Sequence, residues 1–396
     1  MRVLHVSSGN LFGGIETMLL TLARNRHLRT GVETEIALCY AGRLGEELEK
    51  VGCLAHQLPT PRASRPHTVL RARHALGAFL TTRNFDCVIC HSQWTQGIFG
   101  PTVRRAGLPL AMWVHGPLTG LHWSELWAGQ TPPDLVICTS DFTAQTVPYL
   151  YQEVPIEVVH PPVEMDLPAL SAGERSRVRA ELSTAEDTVV IIQPSRVEAW
   201  KGHAALVDAL GQLRDLPNWI WWQVGGVQRP FEAAYLDSIR ERARTLGILE
   251  RVRFIGERSD VRRLLSAADI HCQANLHPEP FGVAFVEALS AGLPVVTIAL
   301  GGALEVVDDS CGLLVPPGDS GALAAALRQL ITDSGLRARL ASAAPARARR
   351  VSDPTRQIRR LQSALESIVK GKGQEGREGQ EGREGQEGRE GRAGWR

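Results

Sequence analysis

The sequence predicts an α/β protein made of two doubly wound parallel-sheet domains in tandem. Short apolar runs alternate with amphipathic segments from end to end, as expected for parallel strands covered by helices on both faces. The alternation pauses once, between Pro155 and Asp187, and then restarts. The chain has 396 residues, enough for two cores, since one core usually serves about 100–200 residues.

The first half offers strand-like runs at residues 3–7, 34–39, 87–90, 110–114 and 135–139, with helical segments at 15–26, 69–81 and 94–106. The pause contains Val158-Val159-His160-Pro161-Pro162-Val163 and then a polar helical segment, and reads as an interdomain hinge. Strand-like runs resume at 188–192, 219–224, 252–255, 270–273, 295–298 and 313–315. We therefore expect domains at 1–163 and 164–350, and a helix at 351–370 packing back toward the first domain. From Gly373 the hexamer Gly-Gln-Glu-Gly-Arg-Glu occurs three times. Without apolar residues it cannot offset its ordering entropy, so 371–396 is expected to be a disordered tail.

Composition narrows the function classes. No run approaches the roughly 18 apolar residues of a membrane span. The start, Met1 to Val6, is too short and too quickly polar for a signal peptide, so the expected location is the cytoplasm. A net charge of +1 gives no global pull toward nucleic acid. Cys87 and Cys90 form a CxxC, but on a strand positions three apart face opposite ways, so core cysteines are expected rather than a metal or redox pair. Arg62, Arg65, Arg71, Arg73 and Arg83 fall in one stretch without an acidic residue. That stretch reads either as a solvated helix face or as a contact for an anionic membrane or acceptor, with Trp123 and Trp127 as interfacial or core aromatics.

Five features carry chemistry. Gly13-Gly14 follows the first strand and opens a helix, where backbone can approach a phosphate favoured by the helix N-terminus. It is not GxGxxG, which argues against a dinucleotide oxidoreductase. His115 follows the strand at 110–114, and His91 ends the neighbouring one; each suits either a cleft or a structural role. Ser195-Arg196 follows the first strand of the second half, and Lys201-Gly202 opens the next helix, a pairing able to clamp a diphosphate. Glu279-Pro280-Phe281-Gly282 leads into a helix carrying Glu287 about two turns in. One carboxylate then stands at a helix mouth and one deeper along its wall. Gly301-Gly302 repeats the strand–glycine–helix theme and offers another backbone approach to phosphate.

Together and in this order, these pieces resemble the retaining GT-B glycosyltransferases of glycosyltransferase family 4. The resemblance runs from Met1 to about Lys370 and is most specific at 268–319. It implies two Rossmann-like domains facing a central cleft and a nucleotide-diphosphate sugar as co-substrate. It implies that Gly14 approaches the donor diphosphate, His115 and Glu279 meet the transferred sugar, and Arg196 and Lys201 bind the phosphates. Phe281, Gly282 and Val283 would offer backbone contacts, Glu287 would hold the ribose, and Gly256 and Arg258 would lie by the base. Glu16 matches a position near the acceptor. The chain departs from the family pattern at Ser195, Trp200, His160-Pro161-Pro162-Val163-Glu164 and Asn275-Leu276-His277, which puts the donor's identity in doubt. No DxD motif marks a metal site, and no other cofactor is expected. The rival expectations are a nucleotide-sugar epimerase on the same architecture and a non-catalytic nucleotide-sugar-binding protein.

Overall fold

The computed structural model describes residues 1–28, 31–165 and 170–390, those from 373 on by backbone alone. The first sheet contains β1 (Arg2–Ser7), β2 (Glu33–Leu38), β3 (Ala55–Gln57), β4 (Cys87–His91), β5 (Leu110–Val114), β6 (Leu135–Cys138) and β7 (Ile156–Val158), in the order β3-β2-β1-β4-β5-β6-β7. The second contains β8 (Val189–Pro194), β9 (Trp219–Val224), β10 (Val252–Gly256), β11 (Ile270–Gln273), β12 (Val295–Ile298) and β13 (Gly312–Val315), in the order β10-β9-β8-β11-β12-β13. Adjacent strands are parallel in both sheets. The doubly wound fold class is therefore the one expected. Every residue of β4 and β5 is buried, as sheets covered on both faces require. Cys87 packs with Leu19 and Trp113 on one face, and Cys90 with Val6 and Phe99 on the other.

Strand order reverses direction between β1 and β4 in the first sheet and between β8 and β11 in the second. Crevices at the carboxyl ends of strands open at such switch points, and the two domains turn these ends toward each other. The two chain crossings are tied together. The Gln357 side chain accepts from the His160 amide at 3.1 Å and donates to the Val351 carbonyl at 3.0 Å. The helix Ser334–Ser352 buries Ala344, Ala348 and Val351 in the second core. The helix Pro354–Glu390 buries Ile358, Leu361 and Leu365 beside Val3, Met18 and Leu19 in the first.

Three local expectations need correction. β3 and β7 are three-residue edge strands that the sequence does not announce, because three residues hold too little alternation to read. β7 also takes the start of the stretch read as a hinge. Finally, the Pro354–Glu390 backbone continues as one helix through the repeat expected to be disordered. Once nucleated on a packed segment, a helix adds one hydrogen bond per residue; the Gln, Glu and Arg of the repeat favour this and the glycine at every third position opposes it. The expectation for 391–396 lies outside the described residues.

Candidate active site

A cleft of about 570 Å³ lies between the domains. On the first-domain side, the turn after β1 brings Phe12, Gly13 and Gly14 to it, at the start of the helix Gly14–Arg24. A methyl group on Gly13 would sit 3.8 Å from Arg196 Nε, and one on Gly14 would sit 3.7 Å from Val283 Cγ2. Those are ordinary contacts, so protein packing alone does not demand glycine at either position. Phe12 and Gln228 exchange backbone-to-amide hydrogen bonds of 3.4 and 3.3 Å across the cleft.

His115 lines the same wall, just beyond β5. Burial pushes its pKa down to about 3, so the ring is neutral at physiological pH. Its Nε2 lies 3.0 Å from His91 Nδ1.

On the second-domain side, Arg196 follows β8 and Lys201 closes the turn that leads into the helix His203–Gly211. That turn depends on Gly202, whose φ is +72° and where a Cβ would stand 1.6 Å from the Ala274 carbonyl oxygen. Arg196 pairs with Glu198 at 3.0 Å through Nη2, while its buried Nη1 has no protein partner. Lys201 Nζ donates to Glu279 Oε2 at 2.8 Å and rests 3.8 Å from the centre of the Trp200 ring. The same Oε2 accepts from Asn275 at 2.6 Å and Gln273 at 3.3 Å, whereas Oε1 takes none of these donors. Glu279 is only 8% exposed, and this ring of donors is what lets a carboxylate stay buried.

Gly282 begins the helix Val283–Ser290 with φ +102°, where a Cβ would fall 2.2 Å from the Phe285 ring. The Phe281 side chain is buried in the core, its ring tilted against that of His160 at 4.9 Å, so Phe281 meets the cleft through its backbone. Glu287 also lines the cleft, as the fifth residue of that helix, just over one turn in and not the two turns expected. Burial raises its pKa to about 7, against the pull of Arg262 and with a further push from Glu164. Glu164 itself bridges the domains, accepting from Arg24 at 3.2 Å and from Arg262.

Most sequence-selected residues thus converge: Gly14, His115, Arg196, Lys201, Arg258, Glu279, Phe281, Gly282, Val283 and Glu287 all border the cleft. Three features do not behave as expected. Glu16 is buried and turns back to accept from the Gly13 amide at 3.0 Å, capping its own helix instead of facing an acceptor. Gly256 is not on the cleft wall; its carbonyl accepts from the Gly225 amide at 2.8 Å. Gly301 and Gly302 approach the protein's own backbone, with the Gly302 amide donating to the Glu279 carbonyl at 2.7 Å. They shape the Glu279 loop rather than offering backbone to phosphate. Arg258 reaches the cleft edge but spends its fork on Asp260, at 2.7 Å to each oxygen.

Sequence reading missed Gly225-Gly226, which line the cleft after β9. The signal was present, since a glycine pair at a strand's carboxyl end is the theme already seen at Gly13-Gly14. It also missed Gln273, the last residue of β11, and the part of Asn275, two residues beyond it, in holding Glu279.

Comparison with known proteins agrees with this geometry. Residues 12–167 match the glycosyltransferase family 4 model and residues 174–347 the glycosyl transferases group 1 model. A lipopolysaccharide core biosynthesis glycosyltransferase of Rhizobium meliloti is 34% identical over 165 residues, 41% of this chain and 45% of that one. A D-inositol 3-phosphate glycosyltransferase of Nocardioides is 29% identical over 329 residues, covering 75% of this chain and 70% of that one. Among solved structures, Anabaena HepE in complex with UDP and glucose superposes with a TM-score of 0.81 at 26% identity, over 93% of this chain and 100% of that one. Fold, cleft and comparisons define a glycosyltransferase of GT-B architecture. Within that class, the two halves of the chain are similar to different family models, glycosyltransferase family 4 in the first and glycosyl transferases group 1 in the second.

Proposed function

We propose that the chain transfers a sugar, with retention and without a divalent metal, from a nucleoside-diphosphate donor to a hydroxyl of a glycan, lipid or small molecule. The observation that carries this reading is the Arg196–Lys201 pair at the carboxyl end of β8. Two fixed cations, one with an unpartnered buried N–H group, face a glycine-lined turn in a cleft between domains. Such preorganised charge suits a leaving diphosphate in a site that excludes water.

In this reading the donor phosphates lie between Arg196, Lys201 and the Gly13-Gly14 turn, and Glu287 receives the ribose hydroxyls. His115 and Glu279 border the sugar from opposite domains. The bond from the anomeric carbon to the phosphate oxygen breaks. The acceptor oxygen bonds to the same face, and its proton passes to the departing phosphate oxygen. Lys201 neutralises Glu279 in the resting protein, and a bound diphosphate would share that ammonium.

A nucleotide sugar is supported by the similar Anabaena HepE, which was solved with UDP and glucose. A thermal-shift screen of UDP-, GDP- and ADP-sugars tests the donor. At a hundred times Kd, a ligand of the folded state adds about 2.7 kcal/mol of stability. One class of nucleotide sugar should raise Tm, and a flat response to all of them would overturn the reading.

The first domain is also proposed to touch an anionic membrane from the cytoplasmic side. Among the described residues no helix is long and apolar enough to cross one. Arg73 and Arg83 are engaged internally, with the Ile98 carbonyl and with Glu35. Arg62, Arg65 and Arg71 are exposed, as is Trp123, while Trp127 packs under Arg73.

A further inference from the structure

Three histidines run through the first domain as a diagonal that climbs to the cleft. His5 on β1 is in register with Ile89 on β4, so His91, two residues on, projects from the same face. His91 is in register with Trp113 on β5, and His115 follows Trp113 by the same step of two. The rings meet at 2.8 Å between His5 Nδ1 and His91 Nε2, and at 3.0 Å between His91 Nδ1 and His115 Nε2. Interplanar angles of 19° and 15° make them nearly coplanar, so each N–H lies in the plane of the next ring's lone pair. Centroid separations of 5.1 and 5.2 Å fit rings joined edge to edge across a hydrogen bond.

We propose that His91 and His5 are positioning residues that lock His115 into one tautomer, and so set whether its remaining nitrogen, Nδ1, accepts or donates toward the sugar. A neutral imidazole carries one N–H, which makes the three choices interdependent. If His115 donates from Nε2, His91 must accept at Nδ1 and donate from Nε2, and His5 must accept at Nδ1. All three are then Nε2–H, and His115 presents a bare Nδ1. Reversing the chain makes all three Nδ1–H, and His115 presents a donor. Burial pushes both His91 and His115 far down from the usual histidine range, which keeps these two rings neutral.

The inference rests on the proposed transfer reaction only for what Nδ1 touches; the tautomers can be read without any donor. The 396-residue chain, labelled with ¹⁵N-histidine, gives tautomers from long-range ¹H–¹⁵N correlation spectra, its twelve histidines assigned by single substitution. His5, His91 and His115 should all report the same neutral tautomer. Two of the three in opposite tautomers, or a charged ring at neutral pH, would overturn the proposal. In His91→Phe, which keeps a flat ring without nitrogens, His115 should lose its single tautomer and show averaged shifts. His91→Asn should restore it, because its amide can reach the place of the imidazole Nδ1. An unchanged His115 signal in His91→Phe would count against the chain. Should that variant not fold, the tautomer pattern of the unmodified protein decides alone.

Discussion

Lys201 and Glu279 form one partly shared charge, so neither can be replaced in isolation. Arg196→Ala should lower transfer roughly a hundred- to a thousandfold, the loss of about 2.7–4 kcal/mol that removing a preorganised donor brings. Its Tm should barely move, because Glu198 keeps the Trp200 indole N–H at 2.9 Å. Lys201→Ala should lose similar activity and also about 1–3 kcal/mol of stability, since Glu279 would stay buried without its counter-charge. Adding Glu279→Gln to Lys201→Ala should recover much of that stability and none of the rate, a non-additivity typical of contacting groups. Initial rates and melting curves of the unmodified protein, Lys201→Ala, Glu279→Gln and the double variant check this, and simple additivity would argue that the pair is not a unit. Glu287 yields a pH test. Its folded pKa of about 7 exceeds the ordinary 4.5. Its contribution is therefore fully present below pH 4.5 and lost as pH rises through 7. A shift of that size is worth at most about 3 kcal/mol, and water at the cleft reduces it. Glu287→Gln should flatten this part of the stability–pH curve of the unliganded protein; equal slopes for both proteins would refute the assignment.

Glycine acts in two distinct ways at the level of turns and helices. Gly202 and Gly282 are required by the fold, since both have positive φ and no room for a methyl group. Gly14 is different. A side chain there meets only ordinary contacts in the free protein, and its φ is not in the left-handed region. Gly202→Ala should therefore cost at least about 2 kcal/mol, from left-handed strain and the collision with Ala274. Gly14→Ala should melt normally but bind a nucleotide sugar more weakly, because the methyl group fills space left for phosphate. Calorimetry of both variants, with and without donor, separates the two roles. A stable Gly202→Ala or an unaffected Gly14→Ala would contradict this division.

For the molecule as a whole, the two domains are joined by the crossings at Val163 and Ser352 and by contacts across the cleft. Glu305 accepts from the Asp141 and Phe142 amides at 2.9 and 2.8 Å, and Arg43 donates to Glu257 at 2.7 Å. The outer surface of the first domain has its own character. Arg62, Arg65 and Arg71 stand exposed, and Leu121, Trp123 and Tyr149 are 83%, 52% and 68% exposed. Sedimentation with vesicles should show more protein pelleting with anionic than with neutral lipid at low salt. Replacing the three arginines by alanine should remove most of the difference, with the attraction also fading toward 1 M salt. Equal pelleting with both lipids would exclude an electrostatic membrane contact.

Much of this was legible in the chain alone. Short continuous apolar runs mark buried strands and a 3.6-residue period marks helices, so runs such as 110–114 and 295–298, set between helical segments, announce parallel sheets. Strand ends followed by glycine, Arg196, Lys201 or Glu279 pointed to the cleft because ligands gather at the carboxyl edge of such sheets. What tertiary structure decided is which of these groups meet. Lys201 reaches Glu279 across 78 residues, and His5 lies in line with His91 across 86. Neither follows from spacing, because strand order, not chain order, sets the neighbours. The same holds for Glu16, whose carboxylate turned inward to the Gly13 amide, and for Gly301-Gly302, spent on the Glu279 loop. A residue's chemistry and local conformation are written within a few positions of it, but its partner is chosen by how the crossovers bring distant strands side by side.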